Sequence, residues 1–160
     1  MLLGVDPGLV VTGYGLINLA DGRCSLIEAG VIRVKREEDL PMRLKGIYDR
    51  LQEILEIHPV DFLIIEDLYS KYTSPKTAIL MGHARGVICL AAANWGVPVI
   101  GYTATQVKSA ITGVGRASKF QIQRMIQKLL DLSSLPEPSD VADALALTIA
   151  HAHTIEKKVH

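Results

Sequence analysis

The sequence predicts an α/β fold with a five-stranded mixed sheet, an antiparallel meander plus parallel strands, flanked by helices. Two observations carry this. Three strand-like apolar runs crowd the first 34 residues, and two further short runs alternate with helical patterns up to residue 102. Beyond that point only helical periodicity remains.

The elements follow in order. Residues 2–6 and 13–19 are apolar runs separated by Pro7 and Gly8, and residues 24–34 add a third after the Asp21-Gly22 turn signal. Residues 41–58 place Met42, Leu44, Ile47, Leu51, Ile54 and Leu55 at near-helical spacing, and Pro59 closes the helix. Residues 62–65, Phe-Leu-Ile-Ile, are too few for a helix and read as a strand buried on both faces, with Glu66 at its carboxyl end. A long helix rich in small residues is expected over 75–94, and another buried strand over 97–102. The order βββαβαβ, then helices, puts the meander at one edge and joins the parallel strands by crossovers.

A single domain spanning 1–160 is expected, with its last few residues disordered. Apolar residues make up 49% and charged residues 21%, a globular composition. The most apolar stretch, 86–101, is interrupted by Asn94, Gly96 and Pro98, short of the roughly 18 continuous residues of a spanning helix. The N-terminus lacks a basic region ahead of an apolar one, so no secretory signal and no membrane partner are expected, and the location is read as cytoplasmic. Cys24 and Cys89 form no CxxC pair; both are expected reduced, with Cys89 in the core.

Seventeen basic and seventeen acidic residues cancel, but they are not mixed. Residues 68–130 contain no Asp or Glu, yet hold Lys71, Lys76, Arg85, Lys108, Arg116, Lys119, Arg124 and Lys128. Eight unopposed cations suit a polyanion, because each neutralised phosphate releases condensed counterions.

Asp6 ends the first strand and Glu66 the fourth, where ligands of open α/β sheets collect. Asp140 and Asp143 are three apart at the start of the last helix and share one face. Oxygen donors of this kind suit Mg²⁺, and four carboxylates roughly match two divalent charges. Each acid also has a structural explanation. Asp-Pro-Gly is a common turn, Asp140 is placed to cap a helix, and spacing does not decide between Glu66 and Asp67, although Glu66 is preferred because it abuts the apolar run. Ser118 and Gln121 form a capping-box pattern, which would open a helix with free N–H groups toward a phosphate. His151 and His153 read as ordinary tail residues.

Gly4-Val5-Asp6-Pro7-Gly8 with Thr12-Gly13-Tyr14-Gly15 resembles the opening of RuvC-type Holliday-junction resolvases. Ile65-Glu66-Asp67-Leu68-Tyr69, Gly82-His83-Ala84-Arg85-Gly86, Gln106-Val107-Lys108, the stretch 112–119 and Asp140-Val141-Ala142-Asp143 resemble that family's successive signatures, in order along nearly the whole chain. The resemblance implies an RNase H-like fold and a Mg²⁺-dependent endonuclease, with two ions per site and Mn²⁺ as a substitute. Asp6, Glu66, Asp140 and Asp143 would be the catalytic, metal-binding set. Lys108 and Lys119 would contact DNA near the scissile phosphates, and Lys76, Arg85 and Arg116 would add to the DNA surface. Tyr69 stands where the family carries a base-stacking aromatic, with Tyr72 as the alternative. A homodimer acting on a four-way DNA junction is implied, with RuvA and RuvB as partners. The Ala78, Gly82, Gly86 spacing would let this helix approach either a second copy or its own sheet. Other readings remain: a related nuclease acting on RNA or flaps, an actin-like ATP site suggested by Asp6-Pro7-Gly8, and a non-catalytic junction-binding module.

Overall fold

The computed structural model describes residues 1–67 and 74–159. Strands β1 (Leu2–Asp6), β2 (Val11–Ala20), β3 (Arg23–Arg33), β4 (Phe62–Glu66) and β5 (Val99–Tyr102) form one sheet in the order β3-β2-β1-β4-β5. The first three are the antiparallel meander; β4 and β5 continue the sheet in parallel with β1. β1 is therefore central, with Asp6 at its carboxyl end. The helices are α1 (Leu40–Ile57), α2 (Pro75–Asn94), α3 (Ala104–Thr112), α4 (Lys119–Leu129) and α5 (Ser139–Val159).

Strand alternation divides the core in two. On one face Leu3, Val5, Leu16, Leu63 and Ile65 pack with Ile47, Leu51 and Ile54 of α1 and Ala84 and Ile88 of α2. On the other, Leu2, Ile17 and Ile64 pack with Val107 and Ile111 of α3, Ile122 and Ile126 of α4, and Leu145 and Ile149 of α5. The run 62–65 is thus a strand covered on both faces, as its composition requires.

α1 starts at Asp39, whose carboxylate accepts from the Met42 N–H at 3.2 Å, and ends at His58 before Pro59. Met42, although in register with the apolar stripe, is 51% exposed, because the stripe meets the sheet only from the second turn onward. Cys89 is half-buried rather than part of the core. His151 is no tail residue: it lies inside the fold on α5, edge-on to Phe62 and Tyr102, with Nδ1 2.9 Å from the Tyr102 hydroxyl. The last helix runs across the sheet instead of leaving it, so its histidines fall in packed layers; His153 Nδ1 lies 3.0 Å from the Ala110 carbonyl.

Candidate active site

Asp6 and Glu66 come together through register and parity. β1 and β4 run parallel with Val5 opposite Ile65, so the next residue of each strand leaves the sheet at the same level. Asp6 shares parity with Leu2, and Glu66 with Ile64, so both project toward the α3, α4 and α5 layer.

The third acid arrives because α5 lies unusually close to the sheet. A Cβ at Gly4 would overlap the Ala144 carbonyl oxygen, and one at Gly13 would overlap the carbonyl of Asp140. Two adjacent strands thus present bare backbone where the first turns of α5 cross them. Ala142, Ala144 and Ala146, all buried, keep the helix side equally thin. Asp143 is thereby lowered into the same cleft as Asp6 and Glu66, with Asp140 one turn earlier. The loop after β1 is closed on itself: the Thr12 hydroxyl donates to the Gly8 carbonyl at 2.7 Å and accepts from its N–H at 3.2 Å. Arg43 clamps the same loop from α1 through the Leu9 carbonyl.

The basic wall is built from two capped helices. Thr103 and Gln106 form a capping box at the start of α3, which carries Lys108, and Ser118 and Gln121 form a second at the start of α4, which carries Lys119. The Ser118 box follows the sequence pattern; the Thr103 box is the same pattern and equally legible. The Lys119 ammonium lies 3.4 Å from Asp143 Oδ2. Asp6, Glu66, Asp143, Lys108 and Lys119 line one cleft of about 220 Å³, floored by Val107, Ile122 and Leu147.

Electrostatics single out Asp6. Burial, then repulsion from Asp143, Glu66 and Asp140, push its carboxyl from 3.8 up to about 7, against the pull of Lys119. The acids repel one another at Asp6, and every donor is a hard oxygen. The set fits a divalent cation in charge and donor type. Among the described residues, no three such side chains are already arranged to hold an ion, so the fit lies in chemistry rather than in finished coordination geometry.

Glu66 and Asp67, equivalent by spacing, are separated by the fold. Arg85 of α2 reaches under the end of β4, donating to the Glu66 carbonyl and, at 2.9 Å, to Asp67 Oδ1. Asp67 is packed against Gly101, where a Cβ would overlap its carboxylate. Glu66 turns into the cleft. Arg85 therefore stands behind the acidic site, its guanidinium engaged with the chain that carries Glu66. Lys76 is exposed on the first turn of α2, and Arg116 is exposed in the loop before α4, outside the cleft. Tyr69 and Tyr72 lie outside the described residues. The glycine pair that seats α5 was quoted in the sequence only as part of a motif; two glycines facing one helix across neighbouring strands were its available signal.

The family model for the crossover junction endodeoxyribonuclease RuvC matches residues 2–151. A protein of that name from Rhodopirellula baltica is 53% identical over 148 residues, covering 92% of this chain and 83% of that protein. Another from Alkaliphilus oremlandii is 47% identical, covering 96% and 93%. The RuvC structure from Thermus thermophilus superposes with a TM-score of 0.91 at 30% identity, covering 98% and 96% of the two chains. The same protein in complex with Holliday-junction substrate gives 0.93, covering 98% and 95%. The yeast mitochondrial Holliday-junction resolvase, 14% identical with a TM-score of 0.66, shares the fold, which is RNase H-like. With motifs, topology and acidic cleft in agreement with these similarities, the chain belongs to the RuvC family of crossover junction endodeoxyribonucleases.

Proposed function

We propose that this protein resolves four-way DNA junctions by nicking opposing strands, with Asp6, Glu66, Asp140 and Asp143 as its metal-binding acids. The observation that carries the reading is the joining of three carboxylates, Asp6, Glu66 and Asp143, and two lysines in one cleft of a chain belonging to this family. Carboxylates alone repel a phosphodiester. Asp6, Glu66, Asp140 and Asp143 would hold Mg²⁺, or Mn²⁺ in its place, which when bound would supply Lewis acidity toward the scissile phosphate and a lowered pKa for water.

The chain's own groups do the rest. Lys108 and Lys119 bind the phosphate and set its position, Lys119 exchanging Asp143 for a phosphate oxygen as DNA arrives. The apolar floor excludes bulk water and strengthens each charge interaction. Arg85 fixes the end of β4 so that Glu66 holds its place, and Lys76 and Arg116 extend the electropositive surface. By the same resemblance Tyr69 stacks on an opened base.

Symmetric cutting calls for two sites related by a two-fold axis. The outward face of α2 supports a homodimer: Ile79 and Leu90 are 64% and 54% exposed, and a Cβ at Gly82 or Gly86 would meet nothing. Those glycines therefore face away from the parent sheet. No helix among the described residues is long and apolar enough to cross a membrane. Action in the cytoplasm, with RuvA and RuvB as partners, follows from the family resemblance.

The test is incubation with a synthetic four-way junction and a matched linear duplex, each with Mg²⁺ or EDTA, mapping nicks strand by strand. Paired nicks in opposing strands, confined to the junction and to Mg²⁺, are expected. Glu66→Gln is expected to abolish nicking while junction binding persists. Binding without any cleavage by the wild type would make the protein a junction-binding module instead.

A further inference from the structure

Helix α4 separates two openings. Its buried side, Ile122 and Ile126, closes the core, and Lys119 reaches into the acidic cleft. On its opposite side Phe120, Arg124 and Lys128 recur every fourth residue, all exposed, and align about 6 Å apart along the axis. Together with Val114 and Arg116 they line an open groove of about 890 Å³, larger than the cleft. Phe120 is 60% exposed and Val114 59%. Three cations surround the groove, and Asp131 at its far end is the single acid among its lining residues.

We propose that this groove is a second DNA site, holding a strand of the junction with Arg116, Arg124 and Lys128 on its phosphates and the Phe120 ring against an unpaired base. The proposal rests on the junction-cutting reading above. Its occupant follows from what the surface offers. An apolar peptide would leave three cations without partners, and the side of an intact duplex offers phosphates but no base face for the ring. A strand with unstacked bases satisfies both, because aromatic rings accept any base while arginine and lysine track the backbone. Continuity points the same way: Lys119 and Phe120 are adjacent residues, one in the cleft and the other in the groove. A strand that passes over the start of α4 is therefore handed directly from one to the other.

The experiment is binding of a fluorescently labelled four-way junction in EDTA across a salt series, with 2-aminopurine placed at the crossover, in parallel with a linear duplex. The probes are Phe120→Leu, which keeps apolar bulk but removes the stacking plane, and the double variant Arg124→Gln, Lys128→Gln. These side chains are exposed, and thermal melts would verify that each variant is folded. The double variant is expected to flatten the log K against log salt slope by about 1.4 to 1.8, two phosphate contacts' worth. Phe120→Leu is expected to bind the junction about tenfold more weakly, to lose the 2-aminopurine quench and to keep its duplex affinity. Wild-type protein that neither binds nor cuts junctions would remove the underlying reading. If the wild type cuts normally while both variants retain its affinity, slope and quench, the groove proposal is overturned, and the surface fits an acidic protein segment instead.

Discussion

Asp6 holds its charge at a cost. Its folded-state value of about 7 lies above the 3.8 of an unfolded aspartate, so between those limits the folded protein binds more protons than the unfolded chain. Stability in the absence of metal therefore falls as pH rises from about 4 to 7. Asp6→Asn removes this term and, on the proposed role of Asp6, is expected to abolish nicking as well. In EDTA at pH 8 the variant is expected to melt at least about 3 °C higher than the wild type, the equivalent of roughly 1 kcal/mol in a chain of this size. At pH 5 the difference should shrink. Equal melting temperatures at both pH values would show that neither burial nor the neighbouring carboxylates raise the Asp6 carboxyl. Divalent cation is expected to stabilise the wild type more than the variant, since binding to the native state adds to its stability.

At the scale of elements, the cleft depends on how closely α5 approaches β1 and β2. Gly13→Ala would drive a methyl group into the Asp140 carbonyl, a backbone atom that cannot rotate away. Either the helix lifts or the strand bends, and overpacking of this kind costs about 1–3 kcal/mol. The expected result is a folded but less stable enzyme with a larger fractional loss of nicking rate than of junction affinity, because Asp140 and Asp143 move relative to Asp6. Denaturant melts and single-turnover cleavage measure the two effects; a variant with wild-type rate would mean the acids tolerate displacement of α5. Elsewhere the sheet is tied to α1 by a polar cluster in which Glu28 Oε1 accepts from the Tyr14 hydroxyl at 2.6 Å, with Arg50 and His58 nearby. The Tyr14 hydrogen bond is the largest influence holding the Glu28 carboxyl below its ordinary value.

For the molecule as a whole, the proposed coordinated cutting would require pairing two cleft-bearing subunits. Ile79→Lys with Leu90→Lys charges the outward face of α2 without touching its buried residues, Ala84 and Ile88. The double variant is expected to sediment as a monomer and to leave junctions singly nicked, whereas the wild type should produce paired nicks. A dimer that survives both substitutions would place the two-fold interface elsewhere. The separation of charge completes the arrangement: carboxylates gather at the carboxyl ends of β1 and β4 and the start of α5, with lysines on α3 and α4 facing them.

The order of elements along the chain, the first two helices and the acids at Asp6 and Glu66 were legible in the sequence because they follow from local rules: periodicity, turn residues and the chain position of each acid. Asp140 and Asp143 could be placed on one helix face, since a spacing of three suffices. Spacing did not separate Glu66 from Asp67, although the apolar run favoured Glu66; tertiary structure supplied the partner that holds Asp67 out of the cleft, Arg85 arriving from α2. It also drew Arg85 behind the site, buried His151 against Phe62 and Tyr102, and turned Gly82 and Gly86 of α2 outward. Charge and periodicity are properties of a segment. A side chain's partner, and the value of its pKa, belong to residues brought together from across the chain.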